Sequence, residues 1–252
     1  MHSRTGSLGA LAAAVAVAAL PALATADTLL VQKQHTDAMS FMGHEEPAKD
    51  ETIEMWLSKK GVARRGGAID TIIRLDEKKL YVINNAEKAY STIALPFDFK
   101  SLLPPDQQPM IEQMEKMMAM NVTVTPTSET KQVGSWSAKR YNISVTSMAM
   151  KMDIVSWLSK DVAIDYPAYR EFVKSSASLQ PRADWMKQLA ELDGFPVLQD
   201  TTMTIMGKPI ASHTELVSVD ERAAPAGTFD PPAGYTEKKY DPMKAMQGNR
   251  SH

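Results

Sequence analysis

The sequence predicts a mainly β, α+β fold: a large, curved antiparallel sheet with helices packed on one face. Three observations carry this. Short runs alternate apolar and polar residues with a period of two and are rich in β-branched and aromatic side chains, the signature of half-buried strands. The connections between them are short and carry Gly and Asn, which tolerate the positive φ of tight hairpins, so neighbouring strands run antiparallel. Strands and helices do not alternate regularly along the chain, which argues against a doubly wound parallel sheet.

The elements follow in order. Thr52 to Lys59 places Ile53, Met55 and Leu57 on one face and Glu54, Trp56 and Ser58 on the other. Ala68 to Asp76, Lys79 to Asn84 and Ala89 to Leu95 continue the meander, with Lys60-Gly61 and Gly66-Gly67 read as turns. Pro96 ends it. A helix is expected from Gln107 or Pro109 to Met120, with Asp106 placed as its cap. Strands resume at Asn121 to Thr125, Ser137 to Thr146 and Ala149 to Ser159. Helices are expected over Ala168 to Ser176 and Arg182 to Leu192, separated at Pro181 because an interior proline breaks the hydrogen-bond ladder. Val197 to Met206 and Ile210 to Val219 form a last hairpin turning at Gly207, and Gly234 to Tyr240 invites a short edge strand.

Residues 1–26 read as a cleavable export signal. His2 and Arg4 precede an apolar run from Leu8 to Leu20, Pro21 breaks it, and Ala24-Thr25-Ala26 supplies the small-x-small cleavage pattern. The run is shorter than the roughly 20 residues that cross a bilayer core. The expected organisation is a leader over 1–26, a single domain over 27–240 and a flexible tail over 241–252, soluble in a bacterial periplasm. The chain has no Cys, which removes disulfides, thiol nucleophiles, thiolate metal sites and lipid attachment at the cleavage point. Its 28 basic and 30 acidic residues give a net charge of −2, and losing Arg4 makes it −3. That balance calls for neither nucleic acid nor an anionic membrane surface.

One succession of motifs is familiar. It runs Trp56, Arg64-Arg65, Thr71 to Asp76, Lys79 to Asn84 and Lys88-Ala89-Tyr90-Ser91. It continues as Gly134-Ser135-Trp136, Tyr141-Asn142-Ile143, Trp157 with Ser159-Lys160-Asp161, and Phe229 with Pro231-Pro232 and Gly234-Tyr235. This resembles an uncharacterised family of bacterial exported proteins known only as a domain of unknown function. That family is in turn similar to the periplasmic lipoprotein carriers and their outer-membrane receptors. The resemblance covers most of Thr28 to Tyr240. It implies a half-open barrel whose concave face is plugged by helices, with an apolar cavity that holds acyl chains in the carriers. Fold does not by itself carry function across.

The 17 methionines are the distinctive chemistry. Met110, Met114, Met117 and Met118 recur at helical spacing, Met148, Met150 and Met152 alternate along a strand with Trp157 on its opposite face, and Met203 and Met206 lie on a third element. Met conforms to varied apolar partners, so Met110, Met114, Met117, Met118, Met150, Met152 and Trp157 are candidates for the lid or wall of an apolar binding site; ordinary core packing is the competing reading. His35, Met39, Met42 and His44 could instead form a soft copper site, since thioethers favour Cu(I). No nucleophile stands in a catalytic motif, histidines are few, and His213 reads as a strand residue pairing across the sheet. The expectation is a non-enzyme that needs no cofactor and binds a lipid or an acylated protein. The alternatives are an envelope protein-interaction module with a filled core, its contact an edge strand or the segment Ala224 to Gly234, and a Met/His copper-binding protein.

Overall fold

Most of the alternating runs fold as strands, joined in hairpin order. The structure is a computed structural model that describes residues 27–41, 44–96, 121–147, 150–177, 192–205 and 207–241. It opens with β1 (Asp27–Thr36), followed by a small two-stranded hairpin, β2 (Met39–Phe41) and β3 (His44–Glu46). The meander comprises β4 (Lys49–Ser58), β5 (Gly61–Arg65), β6 (Ile69–Arg74), β7 (Lys79–Asn84) and β8 (Ala89–Ala94). The long strands are β9 (Asn121–Val133), β10 (Trp136–Thr146), β11 (Met150–Ser159), β12 (Phe195–Ile205) and β13 (Lys208–Arg222), with helix α1 (Tyr166–Ala177) between β11 and β12 and a short β14 (Thr236–Glu237) at the end.

Twelve strands make one open, curved sheet, ordered β14-β8-β7-β6-β5-β4-β1-β13-β12-β11-β10-β9. Every pairing in it is antiparallel except β14 on β8. β1 is the seam, bonded to β4 on one side and β13 on the other, so it joins the meander to the long strands.

The sequence expectation placed a turn on each side of residues 62–65 and no strand between them. The structure makes that stretch β5, with Val62 and Ala63 fully buried. Gly61 starts it at a φ of 154°, where an added Cβ would stand 1.8 Å from the Ile73 carbonyl oxygen. Only Gly permits that approach. β1 was likewise unassigned from sequence, and β9 runs on to Val133 rather than stopping at Thr125.

The expectation of several helices is narrowed. Among the described residues there is one, α1. The expected helices from residue 107 or 109 to 120 and over 182–192 fall outside the described residues, apart from Leu192. Asp165 caps α1, its carboxylate accepting from the Ala168 amide at 3.0 Å. Phe172 points from α1 into the main core with Leu30, Leu57, Ile73, Phe195 and Leu216. A second apolar cluster packs Leu29, Trp56, Ile72, Tyr81 and Ile83 against Phe229 of the C-terminal segment.

Candidate functional site

The apolar field on the long strands is built by register. Directly opposite residues share a face of a sheet. Val122, Val145, Met152, Met203 and Ile210 stand opposite one another in turn, forming a row across β9, β10, β11, β12 and β13. Two residues along, Val124, Ile143 and Ile154 continue the field; two residues the other way, Met150 faces Ile205. The alternation that forms each strand therefore also delivers its apolar side chains to one surface.

Burial within the field is graded. Val145, Ile143 and Ile154 are buried, whereas Met150, Met152, Met203, Ile205 and Ile210 are half-buried. This cluster is distinct from the main core under α1. Among the described residues, the apolar side chain that packs on it from outside the strands is Leu192.

Met150 and Met152 thus lie together, as the sequence expectation had them. Trp157 does not join them. It alternates to the other side of β11, joins the main core cluster, and carries Lys131 Nζ 4.1 Å from its ring centroid. Met110, Met114, Met117 and Met118 lie outside the described residues. On the last hairpin, Met203 stands out in the sequence with Met206, and the apolar partners that sequence reading passed over are Ile205 and Ile210. Their signal was available in the alternation of both strands, but only the register shows that they extend the row of Met152.

The candidate soft-metal residues separate. His35 hydrogen-bonds through Nδ1 to Asp50 at 2.7 Å, and its Nε2 lies 3.3 Å from Asp37. The Asp50 hydrogen bond is the main reason its imidazole titrates above the ordinary histidine range. Met39 lines a hollow of about 440 Å³ with Ala38, Glu45, Glu46 and Pro47. Met42 and the His44 side chain lie outside what the structure describes. Among the described residues no three His, Asp or Glu side chains converge on a point that could hold a metal ion. Asp50 is on β4, and Glu45 and Glu46 are on β3.

The segment Ala224 to Gly234 packs against its own sheet. Arg65 donates to the carbonyls of Gly227, Thr228 and Asp230 at 3.2, 2.8 and 3.0 Å, and Phe229 is buried beneath. Beyond it, Tyr235 donates its hydroxyl to Asn85 Oδ1 at 3.1 Å.

Residues 30–235 match the family model of a domain of unknown function, DUF4412. The chain belongs to the DUF4412 family. No curated protein matches this DUF4412 chain. Among solved structures, PNGF-II is similar at 12% identity and a TM-score of 0.40, over 88% of this chain but 32% of its own length. A domain from Vibrio parahaemolyticus, described as an outer membrane lipoprotein-sorting protein, is similar at 8% identity and a TM-score of 0.28, over 81% of this chain and 89% of its own. A DUF1329 family protein from Desulfovibrio piger is similar at 8% identity and a TM-score of 0.30, over 82% and 90%. The DUF4412 chain spans about a third of PNGF-II. Among its described residues no helix is long and apolar enough to cross a membrane.

Proposed function

We propose that this protein is an exported, non-catalytic binder of an apolar ligand, a lipid or the acyl chain of an acylated protein. The observation that carries the reading is the field centred on Met152 and Met203, apolar across five strands and half-buried at its methionines. Unbranched thioether side chains adapt to ligands of varied shape. A surface of that kind suits an acyl chain better than a rigid polar solute.

Native mass spectrometry of the protein purified without detergent tests this. A bound lipid is expected, together with uptake of a fluorescent fatty acid that Met152→Glu and Met203→Glu each abolish. Absence of lipid and of uptake in the wild type would sink the reading.

Export is part of the same proposal. Cleavage after Ala26 would leave Asp27 as the first residue, and Asp27 begins β1, with its carboxylate accepting from the Ala224 amide at 2.9 Å. N-terminal sequencing of the protein recovered from a periplasmic fraction should read Asp-Thr-Leu-Leu. A mature start elsewhere, or recovery with the cytoplasm, counts against it.

A further inference from the structure

At the far end of the β1 seam, four polar residues fall in one cross-strand row. Asp50 on β4 stands opposite His35 on β1, His35 opposite His213 on β13, and His213 opposite Asp200 on β12. They share a face and are all exposed or half-buried. The two histidines are handled alike. His35 Nδ1 meets Asp50 Oδ1 at 2.7 Å, and His213 Nδ1 meets Asp200 Oδ1 at 2.6 Å.

A carboxylate on Nδ1 fixes the tautomer that protonates Nδ1 and leaves the Nε2 lone pair free to ligate, the outer-sphere arrangement found behind metal-binding histidines. His35 Nε2 then lies 3.3 Å from Asp37 Oδ1. That is long for a charge-assisted hydrogen bond, which runs about 2.7–2.9 Å. It equals the edge, about 3.3 Å, between two ligands bonded at about 2.0–2.1 Å to one tetrahedral ion. Asp37, Asp50 and Asp200 add negative charge around two imidazoles. The nearest cation along β1, Lys33, stands opposite Glu215.

We propose that this row is a divalent transition-metal site, with Nε2 of His35, Nε2 of His213 and the Asp37 carboxylate as ligands, water completing the shell, and Asp50 and Asp200 orienting the rings. Two imidazoles and a carboxylate suit Zn²⁺, Ni²⁺ or Cu²⁺ rather than Mg²⁺ or Ca²⁺. The three donors do not yet close on a point. The structure sets two of them at ligand spacing, and His213, directly opposite His35, closes the site when its ring and the Asp200 carboxylate bonded to it swing together about their side-chain bonds. The ion would tie β1 to β13 at the open end of the seam. The site uses none of the methionines of the apolar field, so its success or failure is independent of the lipid reading.

Calorimetric titration of chelator-treated protein with Zn²⁺ is the test. One binding event is expected. His35→Ala and His213→Ala should each lower affinity by more than the about 10–100-fold expected of Asp200→Asn, which removes only an outer-shell partner. Met39→Leu should leave it unchanged. Nitrogen NMR of the imidazoles should show the metal on Nε2 of both rings, with Nδ1 still protonated. No Zn²⁺ binding overturns the proposal, as does affinity indifferent to both histidine substitutions or coordination through Nδ1.

Discussion

The meander and the long strands use one sheet in two ways. From β4 to β8 both faces are covered. Leu57, Val62, Ile73 and Leu80 belong to the core under α1, while Trp56, Ala63, Ile72 and Tyr81 belong to the cluster closed by Phe229. From β9 to β13, Trp157, Phe195, Val197 and Leu216 also belong to that core, but a further set of apolar residues forms a smaller field that is buried at its centre and half-buried at its methionines. A strand covered on both faces has little freedom to exchange one apolar neighbour for another, because interiors are close-packed. A half-covered surface has that freedom. The contrast puts the closer packing beneath the meander and the more exchangeable packing on the methionine field of the long strands.

The largest expected effect falls on the cover of the meander. Phe229→Ala removes a buried ring and should destabilise the protein by about 3 kcal/mol. Met203→Ala, in the half-buried field, should cost about 1 kcal/mol, within the ordinary range for a partly exposed position. Urea denaturation of both variants measures the pair. Equal losses would break the distinction between the two regions.

Arg65→Ala comes next. The guanidinium fastens the C-terminal segment through the carbonyls of Gly227, Thr228 and Asp230, and its side chain is 23% exposed. Hydrogen bonds to a charged donor are worth more than neutral ones, and the sum here should be about 2 kcal/mol after the segment rehydrates. Arg65→Lys should recover only part of it, since an ammonium lacks the second donor, Nε, that Arg65 also directs at the Thr228 carbonyl at 3.3 Å. Hydrogen exchange should show residues 224–240 opening first, with β9 to β13 unchanged.

The same contrast explains what the sequence made legible. Strands rich in β-branched and aromatic residues between clear turn signals announced themselves: β4, β7, β10 and β11 lie within a few residues of their expected bounds. β1 did not, because Leu29 and Leu30 are buried on opposite faces and its apolar run shows no alternation. β5 is short, flanked by glycines and ends in Arg64 and Arg65, so it has the composition of a turn although its first half is core. The second half of β9 is an edge with polar, exposed residues from Ser128 to Gln132, held by pairing, by the Glu129–Arg140 ion pair and by Lys131 on the Trp157 ring. The candidate sites divide the same way. Met150 and Met152 were visible as a stripe, whereas the meeting of His35 with His213 depends on a pairing separated by most of the chain.

The smallest effect is electrostatic and sits again on the meander side. Arg74 forks onto Asp76, Nε and Nη2 each 2.9 Å from a carboxylate oxygen, and reaches Asp230 of the C-terminal segment with Nη1 at 2.8 Å. The Arg74 hydrogen bond holds the Asp76 carboxyl below its ordinary range, and hydrogen bonding to Lys79, followed by the charge of Arg74, does the same for Glu77. A carboxyl whose folded pKa is depressed stabilises the fold fully above its unfolded pKa of about 4 and loses that contribution as pH falls through the lower folded value. The contribution of these two carboxylates should therefore be flat near neutrality and decline below about pH 4. These groups are largely solvent-exposed, so the loss is small. Arg74→Gln should flatten this acid limb while lowering stability at neutral pH, because Asp76 and Asp230 then lose their common partner. An acid limb unchanged in Arg74→Gln would place the pH-sensitive contacts elsewhere, with Asp153 the next group to examine, since Lys151 and Ser144 hold it below its ordinary range on the long strands.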